Sequence, residues 1–475
     1  MKRKVTIFLL LLNSLAMMAK VELPPIFADN MVLQQQTDAA LWGKAKPQSK
    51  VTVTTSWSKA KTVVTSDSDG KWFARVTTPE AGGPYEITFN DGEKVTLKNV
   101  LIGEVWVCSG QSNMEMPMKG YKGQPVNGGT ELILTAKPST LIRICNLERV
   151  KALEPQDTCP AVWYEHTPEG VSESSATAYF FAKMLYDVLQ IPVGVINASW
   201  GGTPIEAWMS PELLKKEFAS ELDLSHYDTG VWPEKNPYKA PGALYNGMLH
   251  SLVKYTSKGF IWYQGCANRR KFEQYKRLQP AFVQMLRDEW GDQDMPFYFT
   301  QIAPYEYGDP HKRTAGYMMW AQAQTLDMIP HSGMAATHDV GELACIHPAD
   351  KNTVGSRLAY LALANDYGYD LIDADPPVYE SFTVVDGDAL VKFKVGEMGL
   401  SPVNIELEGF ELAGEDGVFY PAKGRVYKDK QYVIVGCPEV PDPVAVRYGM
   451  RNWSVATLFN CNGIPASPFR SDNWE

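Results

Sequence analysis

A serine hydroxyl stands where an apolar run ends: Glu104-Val105-Trp106-Val107-Cys108 is followed by Ser109, then by Gly110-Gln111-Ser112-Asn113. In α/β folds the reacting groups gather at the carboxyl ends of parallel strands, where short loops turn side chains and backbone N–H groups into a common crevice. Ser112 is therefore a candidate nucleophile, although Gly and Ser also fill turns for ordinary backbone reasons. Three more apolar runs end in loops suited to the same reaction. Val193 to Asn197 leads to Ser199-Trp200-Gly201-Gly202-Thr203-Pro204, Phe260 to Gln264 leads to Gly265-Cys266-Ala267-Asn268, and Met334 to Val340 leads to Cys345-Ile346-His347-Pro348.

The elements that must position these loops follow from pattern. Between residues 101 and 370, short apolar runs, Phe297 to Ile302 among them, alternate with segments of helical periodicity. Ala178, Phe181, Leu185 and Val188 form one helical stripe, Phe282, Leu286 and Trp290 another, and Val354, Leu358, Leu361 and Leu363 a third. That alternation predicts an α/β unit, a parallel sheet with helices on both faces. Residues 20–100 alternate apolar and polar positions between turn signals such as Asp69-Gly70 and Gly82-Gly83-Pro84, predicting an N-terminal β-sandwich-like domain. The same alternation returns in a C-terminal β module over residues 371–475.

Residues 1–19 have the pattern of a signal peptide: Lys2, Arg3 and Lys4 precede the apolar stretch Val5 to Leu12, with small residues before a cleavage point near Ala16 or Ala19. The stretch is too short to span a bilayer, so the expected mature chain is exported, periplasmic or secreted, with no membrane insertion. Losing the three basic residues takes the formal charge from −10 to −13, 42 basic residues then facing 55 acidic ones, which argues against a nucleic-acid partner. The sequence sets no oligomeric state. Seven cysteines lie beyond this segment, so disulfides are permitted in an oxidising compartment. The seven histidines show no metal-ligand spacing; His338, Cys345 and His347 are the one local cluster, and no metal or other cofactor is expected. Cys108 closes an apolar strand and has no evident activating partner.

The ordered set Ser112, Gly202, Asn268 and His347 resembles the SGNH hydrolases, whose sheet is flavodoxin-like. The words around it, Glu104 to Glu115, Gly201-Gly202-Thr203-Pro204-Ile205-Glu206-Ala207-Trp208, Leu244-Tyr245-Asn246-Gly247-Met248, Ile261-Trp262-Tyr263-Gln264-Gly265 and Ile346-His347-Pro348, are similar to the sialate O-acetylesterase family of exported carbohydrate esterases. The resemblance runs to the ending Pro465-Ala466-Ser467-Pro468-Phe469-Arg470. It implies a serine carboxylic ester hydrolase acting on an O-acetylated carbohydrate. His347 would take the Ser112 proton, and the N–H groups of Ser112 and Gly202 with the Asn268 amide would hold the oxyanion. An acetyl-Ser112 intermediate would then be hydrolysed.

Two positions depart from that family's pattern. Gly265-Cys266-Ala267-Asn268 stands where it usually reads Gly-Glu-Ser-Asn, and Cys345 stands where an acid often precedes the histidine by two. The double replacement predicts a Cys266–Cys345 disulfide, worth roughly 4–5 kcal/mol in the chain-entropy account. It also leaves the support of His347 to Asp339, which we favour, to Glu342, or to a backbone carbonyl in a Ser-His dyad. Gln111, Arg269 and Arg270 are the expected substrate-binding residues, an arginine fork being suited to a sugar carboxylate. Trp200, Trp208 and Trp262 flank the loops and either stack on a sugar or belong to the core. Sialic acid is the first expected sugar, acetylated xylan or another plant polysaccharide the alternative. A carbohydrate-binding protein with a decayed esterase site is the reading from another class.

Overall fold

Alternate side chains of one long strand, Lys94–Gly110 (β1), supply the cores on both faces of the central sheet. In this computed structural model, which describes residues 20–427 and 429–474, β1 is joined by Ile142–Leu147 (β2), Val193–Ser199 (β3), Gly259–Tyr263 (β4), Phe297–Thr300 (β5) and Ser332–Ala335 (β6). These strands lie parallel in the order β6-β5-β4-β1-β3-β2, with Ala161–Tyr164 antiparallel at the β2 edge. In the flavodoxin order the first strand lies beside the second; here β3 sits between them. The chain places β2 and then β3 on one side of β1, from the outside inward, and builds outward on the other through β4, β5 and β6, so the crevice of the switch point opens at the carboxyl ends of β1, β3 and β4.

Val105 and Val107 of β1 face one side, with Phe260, Trp262 and Phe297, and are covered by Phe282 and Leu286 of Phe272–Trp290. Trp106 and Cys108 face the other, with Ile261, Tyr263 and Tyr298, beneath Phe181 and Leu185 of Ala176–Leu189 and Leu358 and Leu361 of Lys351–Asp366. Both faces of the sheet thus carry the expected helical stripes. Each large apolar side chain buried here contributes about 1.5–3 kcal/mol.

The expected boundary at residues 100 and 101 falls inside β1, whose first half pairs with Gly82–Asn90 and Val32–Gln34. One strand therefore anchors the N-terminal β segment to the central sheet. Residues Val378–Val385 to Phe469–Arg470 form a separate seven-stranded antiparallel sheet with its own core, including Phe393, Phe410 and Tyr448. β2 was not anticipated, although Ile142, Ile144 and Leu147 are buried; it follows a Pro and Ser-Thr turn that reads as loop. The expected signal segment, residues 1–19, lies outside the described residues. Among the described residues no helix is long and apolar enough to cross a membrane.

Candidate active site

β1 ends at Gly110, which adopts φ +139°; a Cβ there would lie 2.2 Å from the Tyr263 carbonyl oxygen, so the strand can turn away from β4 only as glycine. Gln111 N–H then donates to that carbonyl at 2.9 Å, and Ser112 opens the short helix Ser112–Glu115. The turn exposes the serine hydroxyl at the head of the sheet. Ser112 Oγ lies 2.7 Å from His347 Nε2, and His347 Nδ1 lies 2.7 Å from Gln124 Oε1. Because the amide oxygen only accepts, Nδ1 carries the proton and Nε2 is left to accept from the serine.

Gln124 is carried by a turn in which Tyr121 and Gln124 exchange backbone hydrogen bonds, and the Tyr121 hydroxyl donates to Ser112 O at 3.2 Å. The Tyr121 ring meets the imidazole edge-on at 5.3 Å. Burial, with the charge of Lys351 adding to it, holds His347 below the ordinary imidazole range, at about 4. The imidazole is therefore unprotonated at neutral pH and free to accept a proton.

Neither expected acid supports His347. Asp339 presents both oxygens to Arg357, at 2.6 and 2.7 Å, and Glu342 Oε1 accepts from Ala349 N–H at 2.7 Å. The guanidinium fork satisfies Asp339 completely, and Gln124 occupies the place assigned to it. The expected Cys266–Cys345 disulfide is corrected as well, since both are free thiols. Cys345 points at the His347 carbonyl oxygen, 3.2 Å away, while Cys266 is buried beside Gln111 and Tyr307. Burial pushes the Cys108 thiol well above its usual range, which keeps it protonated and inert.

The glycine loop after β3 is held against Ser112. Gly201 N–H donates to Glu115 Oε2 at 2.5 Å, and a Cβ on Gly201 would lie 3.2 Å from Ser112 Cβ. Glu115 is fixed in turn by Arg149 at 2.8 Å. Gly202 adopts φ +70°. Among the described residues neither its N–H nor that of Ser112 meets an acceptor, so both are available to an oxyanion. Asn268 is buried and its amide is oriented by three bonds. Oδ1 accepts from Ile205 N–H at 3.0 Å and from Gln264 Nε2 at 2.7 Å, while Nδ2 donates one proton to Glu206 Oε2 at 2.8 Å and keeps the other.

The expected sugar-binding residues are placed differently. Gln111 is buried and its Oε1 accepts from Ala267 N–H at 3.4 Å, tying the β1 and β4 loops together. Arg269 lies on the Tyr307 ring at 4.0 Å and donates to Cys266 O, so its guanidinium is already engaged; Arg270 is exposed. Trp208 and Trp262 are core residues in edge contact at 6.2 Å. Trp200 is half-buried, stacked on Tyr238 at 4.8 Å, with Arg149 at 5.9 Å from its ring. Lys239 Nζ would lie 3.5 Å from a Cβ on Gly202, which puts a cation beside that glycine.

Sequence reasoning missed Gln124, Glu115 and Glu206. The two glutamates stood in the quoted words, three residues after Ser112 and four after Gly202. Gln124 lies in a Gly-Gln-Pro loop that carries no chemical signal.

Comparison with known proteins returns one family, described as carbohydrate esterase, sialic acid-specific acetylesterase, matched over residues 102–363. The sialate O-acetylesterase of Homo sapiens is 32% identical over 397 residues, 75% of this chain and 73% of that protein. That of Mus musculus is 26% identical over 517 residues, covering 93% of each. Among solved structures, a carbohydrate acetylesterase from Xanthomonas citri superposes with a TM-score of 0.86 at 31% identity, over 96% of this chain and 100% of that one.

Proposed function

The chain belongs to the carbohydrate esterase family of sialic acid-specific acetylesterases, and from that premise we infer that it hydrolyses O-acetyl esters of sugars with Ser112 as nucleophile and His347 as base. It is a carbohydrate O-acetylesterase, a hydrolase of carboxylic esters. The observation that carries the mechanism is the continuous line Ser112 Oγ, His347 Nε2, His347 Nδ1, Gln124 Oε1, with both contacts at 2.7 Å.

Ser112 attacks the acetyl carbonyl as His347 takes its proton, and the oxyanion is received by the N–H groups of Ser112 and Gly202 and the free Asn268 amide proton. One such donor contributes about 3–4 kcal/mol to lowering the barrier. The imidazolium returns the proton to the departing sugar hydroxyl, and water activated by His347 releases acetate from acetyl-Ser112. Gln124 holds the tautomer without supplying the negative charge that an acid would. Lys351 is already disfavouring the imidazolium, so the transition state relies more heavily on the oxyanion donors than in a Ser-His-Asp site.

Residues 101–370 are read as the SGNH-type catalytic domain, 20–100 and 371–475 as β modules, and 1–19 as a signal peptide that exports the enzyme to the periplasm or outside the cell. Sialic acid is the sugar proposed, supported by the names of the two mammalian relatives; an acetylated plant polysaccharide is the alternative, since the Xanthomonas relative is described only as a carbohydrate acetylesterase. Acetate release is measured from O-acetylated sialic acid, acetylated xylan and an activated acetyl ester, by wild type and Ser112→Ala. Release from a sugar that disappears in the variant is expected; equal release by the variant overturns the serine mechanism. Absence of release from all three overturns the enzyme in favour of a binding protein.

A further inference from the structure

Lys351, four residues after His347 and the first residue of the helix Lys351–Asp366, is wholly buried. Its ammonium donates to a neutral group, Asn113 Oδ1, at 2.5 Å. The carboxylates around it are committed elsewhere: Glu342 to Ala349 N–H, and Asp350 to Thr353 N–H at 3.0 Å and Thr353 Oγ1 at 2.6 Å as the helix cap. The thiols of Cys345 and Cys266 also face it, and the Tyr263 ring centre is 6.0 Å away. An ammonium buried without a hydrogen-bonded carboxylate is costly, and such groups concentrate at functional sites.

Its one acceptor explains the placement. Asn113 directly follows Ser112; its Nδ2 donates at 3.0 Å to the carbonyl of Ile346, which directly precedes His347, and its own carbonyl accepts from Thr177 Oγ1 at 2.9 Å. Lys351, Asn113 and Ile346 therefore link the residue after the serine to the residue before the histidine. A neutral donor would suffice as glue. The charge adds something glue does not need, because it faces the imidazole side of the site and opposes a proton there.

We propose that Lys351 is a positioning residue for the Ser112–His347 pair, holding through Asn113 the two loops in register and keeping the imidazole free to accept the serine proton. The proposal rests on the reading of Ser112 and His347 as nucleophile and base. Burial pulls Lys351 itself down to about 7, so it is charged throughout the range near pH 4 in which His347 titrates.

The test compares wild type with Lys351→Met, apolar and of similar length, and Lys351→Gln, which keeps a donor for Asn113 without charge. Two readouts are taken: kcat and KM on an activated acetyl ester across pH, and the NMR titration midpoint of the His347 ring nitrogens, which needs no turnover. In Lys351→Met, kcat falls about tenfold or more, the rate equivalent of one charge-assisted hydrogen bond, with KM little changed. The His347 midpoint rises in both variants and the acid limb of kcat/KM moves to higher pH with it, while Lys351→Gln recovers most of kcat. An unmoved midpoint in the variants, or an unchanged kcat in Lys351→Met, overturns the proposal. Should Lys351→Met not fold, the midpoint in Lys351→Gln decides alone. Ser112→Ala assayed alongside keeps the two failures apart: full activity there overturns the serine mechanism, whereas loss there with an unmoved midpoint overturns only the role of Lys351.

Discussion

Among the described residues two serine–histidine contacts have almost the same length and very different surroundings. Ser112 Oγ is 2.7 Å from His347 Nε2, and Ser454 Oγ is 2.6 Å from His338 Nε2. Burial holds both imidazoles down to about 4. The difference lies in what surrounds each serine. Ser112 stands on a forced turn at the head of a parallel sheet, with unpaired N–H groups and an oriented amide nearby. Ser454 lies in the seam between the central sheet and the C-terminal module, its hydroxyl near the Gly449 carbonyl at 3.5 Å, where a Cβ on Gly449 would lie 2.6 Å from His338 Cε1. A short Ser–His distance alone therefore does not mark a catalytic pair; the free N–H groups and the Asn268 amide beside Ser112, proposed as oxyanion donors, set the two contacts apart.

The largest expected effect tests that distinction directly. Ser112→Ala lowers kcat by about 10⁴-fold or more, whereas Ser454→Ala leaves it within about twofold, measured as acetate release from an activated ester. A comparable loss in Ser454→Ala would erase the contrast. The next largest concerns the donors themselves. Asn268→Ala removes the amide that Ile205, Gln264 and Glu206 orient, and the expected loss in kcat is about 10²–10³ with KM little altered. If KM rose instead at constant kcat, Asn268 would be binding the ground state.

What the sequence made legible follows from the same physics. Ser112, Gly202, Asn268 and His347 were readable because each sits where an apolar run gives way to a loop, and period and loop chemistry are local. The helix stripes, from Ala178 to Val188 and from Val354 to Leu363, were readable for that reason too. The support of His347 was not. Gln124 reaches the imidazole across 223 residues of sequence, and a glutamine in a turn looks like any other surface residue. Asp339 looked better placed because it is close in sequence, but Arg357, 18 residues further on within the helix Lys351–Asp366, claims it. The disulfide failed for a related reason: Cys345 is turned to the His347 carbonyl and Cys266 to Gln111 and Tyr307, side-chain directions that the loop sequences do not encode.

Gln124 gives a smaller effect with a sign that can be worked out. Gln124→Ala removes one neutral hydrogen bond from Nδ1, an expected loss of about five- to tenfold in kcat. Gln124→Glu places a carboxylate against the imidazole, favours its charged form, and raises the His347 pKa from about 4. Since the base must be neutral to act, the acid limb of kcat/KM then moves to higher pH, while the better-stabilised imidazolium of the transition state raises kcat above that limb. A pH–rate profile of the two enzymes reads both. An unchanged limb would mean that Gln124 is not against His347 in solution.

The smallest effect on turnover is expected at Asp339, one residue from His338 and on the packing side of the comparison. Its carboxylate is paired with Arg357, which also donates to the carbonyls of Ala336 and Gly463 and so ties the loop after β6 to the C-terminal module. Asp339→Asn keeps one acceptor for the fork but removes the charge that balances a buried guanidinium. Stability should fall by about 1–3 kcal/mol, seen as a lower Tm, with kcat within about twofold of wild type when assayed well below that temperature. The acid limb set by His347 should not move, because no proton on that ring faces Asp339. A loss of kcat with a shifted limb would instead make Asp339 the distant charge partner of the base, and the seam around His338 would then be part of the catalytic apparatus.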